Sequence, residues 1–131
     1  MAKKILLDSD IEAGKNLLKA LDDGISHFKI TTAMWFLFSE NEEWKLLLFS
    51  PDFGKAKSPA SIYTEISKVI VNSGGNAIDL EFIKIMLKND PLLKILGLIA
   101  QVGGIDSIRM KSNYLNGIYI EDAFIYRNIS S

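Results

Sequence analysis

The triplet Glu43-Trp44-Lys45 has the residue types of a metal-dependent nuclease site. In such a site, a strand carboxylate and an earlier aspartate hold a divalent cation, and the lysine assists the attacking water. The preceding strand lacks that aspartate, because none occurs between Asp23 and Glu40. Solvent-exposed charges at the tip of a hairpin are therefore the favoured interpretation, with a catalytic role for Glu43 and Lys45 as the alternative.

A second acidic group contains Asp79 and Glu81, which share one face of a predicted strand near Lys84. Two carboxylates at this spacing could hold a hard cation such as Mg²⁺. A pair of this kind is more often the solvated face of a half-buried strand, which is the favoured interpretation. The single histidine, His27, cannot form a multi-histidine site, so the sequence predicts no metal centre.

Glu121 and Asp122 lie next to each other inside an otherwise apolar run near the C-terminus. Adjacent strand residues face opposite ways, so one of the two carboxylates must point toward the more buried side. A buried carboxylate needs a partner, and Arg109, Lys111 and Arg127 are the candidates. We expect a structural polar cluster of these five residues, formed by a salt bridge or at an exposed sheet edge.

Composition limits the classes of function that the chain can have. Its 131 residues are expected to form one domain, 1–131, and fifteen basic against sixteen acidic residues disfavour a nucleic-acid partner. Without cysteine there are no thiol nucleophiles, disulfides or thiolate metal sites, and a reducing compartment is indicated. Because no signal-peptide pattern or membrane-length apolar run occurs, we expect a cytoplasmic protein without membrane contact or cofactor.

The first half of the chain reads as a helix followed by a hairpin. Ser9 and Glu12 have the spacing of a capping box, and apolar residues at helical intervals then predict a helix over 10–23. Residues 30–51 contain two apolar runs around a polar tetrapeptide. This pattern predicts a hairpin at the centre of the sheet, covered on both faces.

The second half continues with two helices, a strand and another hairpin. Ser58-Pro59 predicts a helix start, and the run 91–102 predicts an apolar third helix. Alternation over 78–85 predicts a strand, and the change of parity at Ile83 leaves a bulge or the start of a helix as the alternative. Asn116-Gly117 predicts a two-residue turn that pairs Leu115 with Ile118, Tyr114 with Tyr119 and Lys111 with Asp122. The expected fold is α+β in the order α-β-β-α-β-α-β-β, with a mixed or antiparallel sheet of about five strands.

The amount of apolar sequence leads to the main functional hypothesis. The third helix is apolar nearly all round, and both faces of the first hairpin are also largely apolar. An interface between subunits would supply the missing cover, because obligate interfaces resemble a core cut in half. We therefore expect a non-enzymatic domain that acts by protein–protein contact, as a homo-oligomer or accessory subunit. The predicted interface residues are Leu92, Leu93, Ile95, Leu96 and Ile99.

Two segments, AMWFLFSENEEWKLLLFSP at 33–51 and NGIYIEDAFIYR at 116–127, are similar to segments of small bacterial proteins with no assigned activity. The resemblance implies a bacterial protein and transfers no functional residue. Two other hypotheses stay open at this point. One is a small metal-dependent hydrolase or nuclease that uses the acidic candidates above, and the other is a sensor with a ligand pocket beneath the third helix.

Overall fold

A five-stranded mixed sheet runs through the centre of the molecule, with helices on both faces. The computed structural model describes residues 5–24, 28–72, 78–96, 107–115 and 117–129. The sheet order is β3-β2-β1-β5-β4, with β2 and β3 parallel and the other neighbours antiparallel. The elements are α1 (Asp8–Gly24), β1 (Thr32–Phe38), β2 (Glu43–Phe49), α2 (Pro59–Asn72), β3 (Ile83–Ile85), α3 (Pro91–Leu96), β4 (Ile108–Leu115) and β5 (Ile118–Asn128). The predicted α+β class and element order are confirmed.

Helix α1 starts earlier than its sequence pattern predicts. The carboxylate of Asp10 accepts a hydrogen bond from the Leu7 backbone N–H at 2.9 Å, and the Leu7 carbonyl accepts one from the Asp10 N–H at 2.9 Å. Leu7 therefore occupies the cap position and Asp10 reaches back to it from the third helical residue. The predicted capping box of Ser9 and Glu12 is wrong, because Ser9 already lies inside the helix.

The first hairpin lies where it was predicted, and both of its faces are covered. Strand β1 is the middle strand of the sheet, and six of its seven residues are buried. Trp35 and its neighbours on one face pack with the apolar residues of α1 and α2. Met34 and Phe36 on the other face pack with Leu92 and Leu96 of α3. The chain's own helices thus supply the cover that the apolar hairpin requires.

The predicted strand over 78–85 is only partly correct. Leu80–Phe82 form a 3-10 turn, in which the Phe82 N–H donates to the Asp79 carbonyl at 3.0 Å, and only Ile83–Ile85 join the sheet. The local hydrogen bond takes the place of ladder pairing, so the alternation before Ile83 does not indicate a strand.

The third helix follows as predicted from the Asp90-Pro91 signal. The Asp90 carboxylate caps it by accepting from the Leu92 N–H at 2.9 Å. The helix is described as Pro91–Leu96, and the predicted continuation over 97–102 lies outside the described residues. Of the helices that the structure describes, none has the length and hydropathy to cross a membrane.

The second hairpin has the predicted register, including the pairs Leu115–Ile118, Tyr114–Tyr119 and Lys111–Asp122. Gly117 has a φ of 81°, as the turn requires. Ser112 lies in the middle of β4 with a φ of 52° and no partner in the ladder. Strand addition along β4 is disfavoured, because this irregularity breaks the row of backbone groups at the sheet edge.

Candidate functional site

Glu43 and Lys45 pair with each other on β2. The Lys45 Nζ lies 3.1 Å from the Glu43 Oε1, and both side chains are about one-quarter exposed, at 25% and 24%. The same ammonium group donates a hydrogen bond to the backbone carbonyl of Glu81. Lys45 therefore connects the 3-10 turn to the sheet. The Glu43 carboxylate, which would bind a divalent cation in the nuclease pattern, is instead paired with the Lys45 ammonium group.

Asp79 and Glu81 are exposed residues of the 3-10 turn and its cap, and not strand residues as predicted. Glu81 is joined to Lys45 through its backbone and not through its carboxylate. Among the residues with described positions, no three histidine, cysteine, aspartate or glutamate side chains are grouped so that they could hold a metal ion. Lys84 lies on β3 with its Nζ 5.1 Å from the Phe38 ring centroid. His27 lies outside the described residues.

Asp122 is bound by Arg109 across the second hairpin. Arg109 donates from Nε to Asp122 Oδ1 at 2.6 Å and from a terminal nitrogen to Oδ2 at 2.7 Å. The hydrogen bond with Asp122 raises the pKa of the Arg109 guanidinium. The guanidinium also lies 5.8 Å from the Trp44 ring centroid. The Arg109–Asp122 ion pair of the β4–β5 hairpin therefore contacts the β1–β2 hairpin.

Arg127 lies away from the polar cluster in which the sequence placed it. A bulge between Ala33 and Met34 in the β1–β5 ladder inserts Tyr126 as an extra residue of β5. Tyr126 and Arg127 consequently both contact α1, although they are adjacent in a strand. Arg127 makes two hydrogen bonds to the Asp22 carboxylate, at 3.0 and 2.7 Å, and one to the Ile30 carbonyl at 2.9 Å.

A buried polar contact between β1, β5 and α1 was not predicted from the sequence. The Trp35 indole N–H donates to the Tyr126 hydroxyl at 2.9 Å, and that hydroxyl donates to the Ile11 carbonyl at 2.6 Å. Burial raises the pKa of Tyr126. Gly14 makes room for the ring, because a Cβ there would lie 2.9 Å from the Tyr126 Cζ and closer still to its oxygen. A glycine on the apolar stripe of α1 was the available signal.

The residues predicted for a subunit interface lie mostly inside the chain. Leu92, Ile95 and Leu96 are buried, and Leu93 is half-buried against the cluster on the α3 face of the sheet. The apolar surface of Leu92, Leu93 and Leu96 thus packs on the chain's own sheet. Ile99 lies outside the described residues.

The exposed aromatic surface lies instead at the end of the second hairpin. The ladder between β5 and β1 ends at Ala123, so Ile118–Asp122 have β4 as their only neighbour among the described strands. At about 3.3 Å per residue, this two-stranded arm is about 17 Å long. Tyr114 and Tyr119 lie near its end with ring centroids 4.9 Å apart, and Tyr114 is 74% exposed. We call residues 111–115 and 117–122 the hairpin arm.

No protein-family model, curated protein or solved structure matches this chain. The resemblance of two segments to small bacterial proteins therefore stays an expectation. A functional assignment has to rest on the geometry of the chain itself.

Proposed function

We propose that the chain is a non-enzymatic, cytoplasmic domain that acts by protein–protein contact and associates with a second copy of itself through the hairpin arm. The observation that carries the proposal is the exposed tyrosine pair at the end of this arm. Tyrosine is enriched in protein interfaces because it combines a large apolar ring with a polar hydroxyl group. The cytoplasmic location is supported by the lack of cysteine.

The arm is fixed to the domain before any partner binds. Ile120 is buried and Leu115 packs against the cluster on the α3 face of the sheet, while the Arg109–Asp122 pair joins the base of the arm to Trp44. A preorganised arm loses little conformational freedom on association, which favours binding.

The charges on the arm fit a second copy of the arm. Lys111 is exposed and Glu121 is half-buried, and neither has an ion pair within the described part of the chain. In a twofold dimer, each contact between two different residues occurs twice. In this proposal, two arms packed around such an axis bring Lys111 of each copy against Glu121 of the other, and the tilted tyrosine pairs lie near the same axis.

Light scattering coupled to size-exclusion chromatography over a dilution series tests this proposal. We expect a dimer that dissociates on dilution, and we expect Tyr114→Ser to weaken it about tenfold, as loss of a central aromatic contact does. Val71→Ser is the matched control, because Val71 has the same 74% exposure and lies on α2, outside the arm. A strict monomer at all concentrations would remove the proposal.

A charge exchange tests the arrangement of the two arms. Lys111→Glu and Glu121→Lys should each weaken the dimer, since each places like charges against one another. The double variant should restore association toward that of the original chain. Failure of the double variant to recover, while both single variants remain folded, would contradict the pairing of these two residues.

A further inference from the structure

A groove lies between helix α2 and the 3-10 turn Leu80–Phe82, on the opposite edge of the sheet from the hairpin arm. Its volume is about 450 Å³, which is within the range of small-molecule sites. Val71 from α2 and Leu80 from the turn both line it, and both are exposed large apolar side chains. Exposed apolar side chains are thus brought together in one concave surface.

Polar groups in the same groove favour a ligand that accepts hydrogen bonds. The Tyr63 hydroxyl accepts a hydrogen bond from the Ile85 N–H at 3.0 Å, which fixes its position and leaves its own hydrogen to donate. Ser67, Lys68 and Asn72 add a hydroxyl, an ammonium and an amide group. Lys68 has no ion pair within the ranges that the structure describes.

A neighbouring concavity differs from the groove because charges of both signs line it. That second concavity, of about 440 Å³, is lined by Lys55, Lys57 and Lys68 and by the carboxylates of Asp52 and Glu65, and Lys55 forms an ion pair with Asp52 at 3.5 Å. The groove beside Leu80 contains no carboxylate among its described lining residues, so the positive charge of Lys68 is not opposed within it.

We propose that the groove binds a small amphiphilic anion, with a carboxylate group on an alkyl or aromatic body. The carboxylate accepts hydrogen bonds from Lys68, and the apolar body packs against Val71 and Leu80. This site is separate from the hairpin arm, and its test does not depend on whether the chain dimerises.

Titration of the ¹⁵N-labelled chain with sodium octanoate, followed by amide chemical shifts, tests the site. We expect saturable shifts centred on α2 and the 3-10 turn. Leu80→Ser should weaken binding about tenfold, because it removes apolar contact area. Leu87→Ser is the matched control, since Leu87 is also an exposed leucine and is not among the residues that line the groove. This control variant should bind octanoate as the original chain does.

The sign of the charge gives a second measurement. Lys68→Met keeps the apolar stem of the side chain and removes its charge, and it should weaken octanoate binding about two- to fivefold. Octylammonium should bind more weakly than octanoate to the original chain. The absence of saturable shifts, equal binding of the two amphiphiles, or equal weakening by Leu87→Ser would each overturn the proposal.

Discussion

The two β-hairpins of this protein are built from similar apolar and aromatic residues, and they have opposite environments. The β1–β2 hairpin is covered on both faces by helices of the same chain, and Trp35 and Trp44 are fully buried in it. The β4–β5 hairpin shares only part of its length with β1, and its end exposes Tyr114. Aromatic residues therefore belong to the core in one hairpin and are exposed at the end of the other, and coverage by neighbours makes the difference.

The largest contrast is expected between Trp35→Ala and Tyr114→Ala. Trp35 is fully buried and donates hydrogen bonds to Tyr126 and to the Asp10 carbonyl, so its truncation should cost about 3–5 kcal/mol of unfolding free energy. Tyr114→Ala should cost at most about 0.5 kcal/mol. Urea unfolding checks both values at a dilution where the chain is monomeric, because association adds apparent stability. Similar losses in the two variants would contradict the contrast between the hairpins.

The close approach of α1 to Tyr126 on β5 gives the next largest effect. Gly14→Ala should cost about 1–3 kcal/mol, because the new methyl group would clash with the Tyr126 ring. Gly54→Ala is the control, since no atom lies within 4 Å of a Cβ built at that position. Thermal and urea unfolding would measure both variants. If Gly14→Ala left the free energy of unfolding unchanged, the fold would not depend on the close approach of α1 to Tyr126.

The two arginine ion pairs should contribute different amounts to the free energy of unfolding, with the Arg127–Asp22 pair contributing more than the Arg109–Asp122 pair. Arg127→Met should cost about 1–2 kcal/mol, because the variant leaves both Asp22 and the Ile30 carbonyl without their hydrogen bonds. Arg109→Met should cost less, about 0.5–1 kcal/mol, since its pair with Asp122 is partly exposed and lies at the outer edge of the sheet. Denaturant midpoints would rank the two variants, and a larger loss for Arg109→Met would reverse the comparison.

The last effect is a change of stability that occurs only at alkaline pH. Burial raises the pKa of Tyr126 above its ordinary value of 10.0. Just above pH 10, the folded state therefore keeps the phenol proton, while the unfolded chain loses it. The stability that this proton provides is complete below pH 10 and decreases as the pH rises further. Tyr126→Phe should reduce this decrease, while Tyr114→Phe on the exposed ring should leave it in place. Equal pH profiles for Tyr126→Phe and the original chain would contradict the assignment.

Local signals predicted most of the fold. Ser58-Pro59 and Asp90-Pro91 mark helix starts, and Asn116-Gly117 sets the register of the second hairpin, because each signal acts over only a few residues. The errors at Ser9 and over 78–85 arose where a neighbouring residue formed a competing local hydrogen bond. Patterns of two or three residues do not distinguish such alternatives.

The residues of the candidate site were harder to predict, because their positions depend on contacts between distant parts of the chain. A single bulge in the β1–β5 ladder turns Arg127 toward Asp22, which is 105 residues away in sequence. The exposure of Tyr114 depends on where β1 stops pairing with β5. Apolar residues of α3 were predicted to face a partner, but they pack on a sheet whose strand order the sequence does not reveal.

Contact between two hairpin arms is the central proposal for this protein, and a distance between the two copies tests it most directly. The chain contains no cysteine, so Asn113→Cys would carry one spin label on the exposed edge of the arm, and Lys55→Cys would carry one far from it. For Asn113→Cys, double electron–electron resonance on the dimer should give a short and narrow interspin distance. Lys55→Cys should give a longer distance. The absence of an interspin distance at Asn113, or a shorter one at Lys55, would contradict association through the arm.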